Sequence, residues 1–170
     1  MPTTRVTAHV PASPTRVYAA LVDPAAVQRW RVPDGMHAEI LEYDARVRGR
    51  FRVSLTYDDP AAAGKTSGAT DTYAGHFAEL VPGERVVEVL AFETDDPALA
   101  TEMTMTTTLT PVGDGTEVEL THEGVPDRVP PEDNELGTRM ALARLAAYVS
   151  EPVERWHLGL TRSGHLASPC

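Results

Sequence analysis

Six histidines are the first place to look for chemistry in this 170-residue chain. His9, His37, His76, His122, His157 and His165 show no His-x-x-x-His or His-Glu-x-x-His spacing, the patterns that bring two imidazoles to one helical face around zinc. No metal site is expected. His122-Glu123 joins a base to an acid, but neighbouring residues of a strand point to opposite faces and do not share one substrate. His122 alone, inward on an apolar strand, has three readings: a general base, a hydrogen-bond donor to a ligand, or a core histidine with its partners satisfied. The paired acids Asp58-Asp59 and Asp95-Asp96 stand beside prolines and read as solvated turns. Ser54, Ser67 and Ser163 lack the context of a nucleophile elbow, and Gly113-Asp114-Gly115 has the length of a hairpin turn, not of a phosphate-binding loop. The single cysteine, Cys170, is the last residue and has no partner for a disulfide or a metal site. No cofactor is expected, and His122 is the one candidate for a catalytic role.

Composition narrows the classes further. With 42% hydrophobic residues, the chain has enough apolar material for one domain burying roughly 70% of its extended surface. No apolar run approaches the roughly 18 residues needed to cross a bilayer, and Met1-Pro2-Thr3-Thr4-Arg5 is unlike the start of a secretory signal. The expected location is the cytoplasm. The formal charge of −10 repels phosphate backbones and anionic lipid surfaces, which argues against nucleic-acid or membrane partners. Lys65 is the only lysine, so arginine carries nearly all the positive charge, a bias common in GC-rich bacteria.

The elements that must position these residues follow a clear order. Thr3 to Val10 reads as a short strand ended by Pro11. Ser13 is a good N-cap, Pro14 suits the first helical turn, and Val17, Tyr18 and Leu21 share a stripe of a first helix. Asp23-Pro24 breaks it and caps a further short turn through Trp30, before Pro33-Asp34-Gly35 forces a loop. Strands are expected over His37 to Tyr43, Arg50 to Tyr57, Asp71 to Leu80, Arg85 to Glu93, Glu102 to Val112 and Gly115 to Glu123. Pro82-Gly83 and Gly113-Asp114-Gly115 signal hairpins, and Asp58 to Thr70 a longer loop. A long helix is expected from Asn134 to Ser150. Thr138, Ala141, Leu142, Leu145, Tyr148 and Val149 form one face and Leu136, Met140, Ala143 and Ala147 the opposite one, so the helix should be buried on both sides, with one side sealing the core and the other either looking into a hollow or filling the core as well. Residues 1–150 read as one domain. Residues 151–170, with Trp156 and His157, read as a tail that forms another helical turn or folds back. That tail and an exposed edge strand make a homodimer an expectation.

Four segments together resemble the SRPBCC, or START-like, superfamily, and within it the branch of the activator of the heat-shock protein 90 ATPase. They are Ala12 to Leu21 with Asp23-Pro24 and Trp30; Arg48-Gly49-Arg50-Phe51-Arg52; Gly75-His76-Phe77 onward to Val87; and Gly115 to Gly124. They occur in family order and span about residues 5 to 150. Two features depart from the pattern: the family's doubled glycine before Arg50-Phe51 is here Arg48-Gly49, and the Gly-Trp that often opens the last helix is missing, with Leu136-Gly137 nearby. The resemblance implies an α+β helix-grip fold, a curved antiparallel sheet around a long carboxy-terminal helix, with two short helices after the first strand. It also implies a cavity for an apolar or amphipathic small molecule. Two rival functions accompany it: a polyketide cyclase or aromatase, with His122 and Tyr73 or Tyr57 moving protons, and a module acting on a chaperone ATPase, although the named activator grips its chaperone with an additional domain.

Alternation on such a sheet turns Phe51, Val53, Leu55 and Tyr57 inward, with Tyr73 and Phe77, with Met103, Met105 and Leu109, and with Val118, Leu120 and His122. The strand from Arg85 is ambiguous, because Val87, Val89 and Ala91 compete with Val86, Leu90 and Phe92. For most of these side chains core packing is the alternative to a ligand contact. Trp30, Phe51, Val53, Tyr73, Phe77, Met105, Leu120, His122 and Met140 are the candidates for a ligand-binding wall, since aromatic and methionine side chains adapt to apolar guests.

Overall fold

Two short helices are made by their caps. In the computed structural model, which describes residues 1–151, the Ser13 hydroxyl accepts from the Arg16 N–H at 3.3 Å and opens α1 (Pro14–Val22). Asp23 then ends α1 and caps α2 (Pro24–Trp30), its carboxylate accepting from the Ala25 N–H at 3.0 Å. The Trp30 indole donates to the Ala20 carbonyl at 2.8 Å and fixes the angle between the two helices. The expectations for Trp156, His157, Ser163, His165, Cys170 and the tail lie outside the described residues.

These helices follow β1 (Thr4–Val10) and precede β2 (Met36–Tyr43), β3 (Arg50–Tyr57), β4 (Thr70–Val81), β5 (Arg85–Phe92), β6 (Met103–Val112) and β7 (Gly115–Glu123), with α3 (Pro131–Ser150) last. The seven strands form one sheet in the order β1-β7-β6-β5-β4-β3-β2, every neighbouring pair antiparallel. Register shifts between Ile40 and Glu42 and between Phe77 and Glu79 mark bulges, which bend the sheet around its apolar face. Gly75 lies where β5 approaches β4 closely, and a Cβ there would stand 1.9 Å from the Val89 carbonyl oxygen, so only glycine fits. Arg48 has φ +70°, the left-handed backbone that glycine adopts without strain.

The inner face is as alternation predicts: Phe51, Val53, Tyr73, Phe77, Met103, Met105, Leu109, Val118 and Leu120 are all buried. The ambiguous strand β5 resolves in favour of Val86 and Leu90, with Glu88 buried between them. At one end of this face Tyr43, Phe51 and Phe77 pack ring against ring, with centroids 5.2 Å apart for Phe51 and Phe77 and 5.3 Å for Tyr43 and Phe77.

Helix α3 departs from the expectation in two ways. It begins at Pro131, not Asn134, because proline is suited to a first turn and Glu132 and Asp133 meet the positive end of the helix dipole there. It is also buried on one face only, through Thr138, Ala141, Leu142, Leu145 and Val149. Leu136, Ala143 and Ala147 are exposed, which corrects the two-sided burial expected from the pattern, while Met140 is half-buried and, with Leu136, borders a hollow. Alanine is the best helix former and leaves little apolar surface in water, so its presence on an outer face reports propensity and not burial.

Candidate functional site

The far end of the inner face is hollow. A cavity of about 570 Å³ lies between the sheet and the first half of α3, a volume typical of small-molecule sites. The loop at Pro33 and Asp34, the β3–β4 loop at Ala63 and Lys65, and the crossover from Val125 to Pro130 form its rim. Six of the nine candidate wall residues line it: Trp30, Tyr73, Met105, Leu120, His122 and Met140. Phe51, Val53 and Phe77 do not, and are corrected to core. They lie at the packed end, where each is at most 1% exposed and neighbouring rings pack against one another. Further along the same strand Leu55 and Tyr57 do reach the cavity, as do Leu90, Phe92 and Met103.

A polar row crosses the sheet beneath these apolar walls. Phe77, Glu88, Met105, His122 and Thr4 are successive register partners on β4, β5, β6, β7 and β1, and the first four belong to the inner face. Arg31, just past the end of α2, lies over the row. One arm of its guanidinium donates to the Glu88 carboxylate at 2.8 Å, the other meets the Met105 sulfur at 3.4 Å, and its plane stands 5.5 Å from the centre of the Tyr73 ring. Glu88 is 4% exposed and Arg31 13%, so this ion pair is almost wholly removed from water. A second pair sits at the rim. Lys65, the single lysine, donates to the buried Asp71 at 2.7 Å and lies 5.5 Å from the centre of the Phe92 ring. Thr4 donates to Asn134 and so ties the first strand to the start of α3 beside the cavity.

Burial and these charges set the protonation states. Burial pushes the His122 imidazole down to about 4, and the Arg31 charge pushes it in the same direction, so the ring is neutral at pH 7. His122 Nδ1 is shut off from solvent and has no hydrogen-bond partner among the described residues. Burial by itself would make Arg31 easier to deprotonate, but the charge of Glu88 and its hydrogen bond oppose this and hold the guanidinium charged. Burial raises the Tyr73 phenol, which stays protonated, and it likewise raises Tyr43, which donates to the Leu21 carbonyl at 2.7 Å.

The other chemical candidates are placed apart from this cavity. Glu123 is exposed on the opposite face from His122, as strand alternation predicts. Asp58 pairs with His37 at 2.9 Å on the surface, and Asp59 and Asp96 accept from backbone N–H groups two residues on, as turn residues do. Among the described residues no group of three metal-ligating side chains comes together, and no helix is long and apolar enough to cross a membrane. Sequence reasoning missed Arg31, Glu88, Lys65 and Asp71. The available signal was Glu88 itself, a carboxylate in phase with the inward residues Val86 and Leu90, which requires a buried cation.

Residues 11–150 match the family described as activator of Hsp90 ATPase homolog 1-like protein. A crystal structure of a protein from Chromobacterium violaceum is 37% identical, with a TM-score of 0.79 over 88% of this chain and 98% of that one. One from Rhizobium loti is 31% identical, with a TM-score of 0.66 over 86% of this chain and 96% of that one. The solution structure of a protein of the same family from Aeromonas hydrophila shares the fold at 19% identity, with a TM-score of 0.67 over 96% and 99% of the two chains. No curated protein matches the sequence.

Proposed function

The chain belongs to the activator of Hsp90 ATPase homolog 1-like family, and from that premise we propose that it binds an apolar or amphipathic small molecule between its sheet and α3. The observation that carries this reading is the cavity of about 570 Å³, walled by leucine, methionine and aromatic side chains with a few polar groups among them. The protonation states favour binding over turnover. An imidazole held near 4, a phenol raised by burial and a guanidinium fixed by a carboxylate are poorly matched to exchanging protons near pH 7. The test is native mass spectrometry of the purified chain, organic extraction of whatever accompanies it, and rebinding to the Leu55→Trp variant, whose indole would occupy the cavity. A copurified apolar compound that rebinds the wild type and not the variant is the expected outcome. Equal rebinding to both would place the compound elsewhere and remove the proposal.

A further inference from the structure

Several polar atoms at the cavity floor have hydrogen-bonding capacity that the fold leaves unused. Arg31 spends one arm on Glu88, and among the described residues its Nη2 meets only the Met105 thioether, a weak acceptor. Tyr73 lines the cavity beside that guanidinium, and its hydroxyl makes no hydrogen bond to a described residue. His122 lies across from Met105 in register, with Nδ1 enclosed and unpartnered, which leaves Nε2 as the ring nitrogen open to the cavity. An enclosed N–H without an acceptor is costlier than an unused lone pair, so the neutral ring carries its proton on Nε2. These three side chains therefore offer N–H and O–H groups to the same space. Glu88, whose carboxylate could have answered them, is not part of the cavity wall.

We infer that the molecule bound here presents an oxygen acceptor without a proton of its own, a carboxylate or an ester carbonyl, to Arg31, Tyr73 and His122. Its apolar body then lies along Leu90, Met103 and Leu120. The inference rests on the cavity-binding reading and adds the chemistry of the head group. At this floor an ammonium meets a cation in Arg31 and donors in His122 and Tyr73; of the carboxylates elsewhere on the wall, Asp34, Asp71 and Asp133, the first two are already paired with Arg144 and Lys65. The electrostatics agree: besides burial, the Arg31 charge is felt at His122 and lowers its proton affinity.

Calorimetric titration of the full chain with decanoate, methyl decanoate and decylamine separates the possibilities. Decanoate and methyl decanoate should each bind at least about tenfold more tightly than decylamine, the worth of one charge-assisted hydrogen bond. The formal charge of −10 favours the amine at long range, so the expected order has to come from the cavity itself. Tyr73→Phe should weaken decanoate binding by roughly fivefold and leave decylamine unchanged. The double variant Arg31→Met with Glu88→Leu removes both charges together and leaves neither one orphaned, and it should abolish the preference. Equal affinity for all three ligands, or an unaltered preference in the double variant, overturns the head-group inference while leaving cavity binding in place. Failure of all three to bind overturns both.

Discussion

The two ends of one concave face behave differently although the same strands build them. Along β3, Phe51 and Val53 are each 1% exposed within a ring-packed core, whereas Leu55 and Tyr57 border a cavity. At the packed end Tyr43, Phe51 and Phe77 supply large flat side chains that interlock, and the edge-on contact of Tyr43 with Phe77, at an interplanar angle of 81°, fills the space that bending opens. At the hollow end no such rings meet among the described residues. The helix opposite begins with a proline and places Gly137, without a side chain, toward Pro33. Between the two stands the Arg31–Glu88 pair, with Tyr73 touching both sides: its ring packs edge-on against Phe51 at 6.2 Å and also lines the cavity. The boundary between core and cavity is thus set by a buried charge pair, which demands fixed geometry and resists collapse of the face onto the helix.

Truncation should separate the ends most strongly. Phe77→Ala is expected to destabilise the fold by about 3–5 kcal/mol, because the surrounding rings relax only partly into the void. Leu55→Ala, bordering space that is already empty, should cost only about 1 kcal/mol. Urea denaturation of both variants measures the contrast, and equal losses would mean that the cavity is closed in solution.

Acid should act at the hollow end through His122. The His122 pKa is depressed to about 4 in the fold against an ordinary 6.5, so between those values the unfolded chain binds more protons and stability rises with pH. The contribution is complete above about pH 6.5 and falls away as the pH drops toward 4, by at most about 3 kcal/mol. Denaturation midpoints across that range should fall less steeply for His122→Phe than for the wild type. Parallel slopes would show that the ring is solvated. The smallest effect belongs at the packed end, where Arg48 holds φ +70° and its N–H donates to the Phe77 carbonyl at 2.8 Å. Arg48→Gly relieves that backbone and should stabilise by about 1 kcal/mol; a thermal melt with a lower midpoint would contradict the strain.

How far the sequence could be read depended on which residues repeat a pattern. The seven strands, both helix caps and the inward phase of Phe51, Tyr73, Met105, Leu120 and His122 follow from alternation, capping chemistry and turn residues, all local signals. The extent of burial around α3 was not legible, since Ala143 and Ala147 satisfy an apolar pattern while standing in water. Arg31 carried no signal of its own, being one of many arginines in a chain with a single lysine.

Local chemistry along the chain therefore determined the elements, their order and the face each strand turns inward. Only the tertiary structure decided which inward residues would touch one another and which would border empty space. Alternation has a period of two residues and no information about the distance to the opposite wall. That distance depends on bulges at Ile40 and Phe77, on the close approach of β5 at Gly75 and on the place where α3 crosses. The meeting of Arg31 with Glu88 is a contact between residues far apart in sequence, made when the curved sheet brings β5 beneath the end of α2.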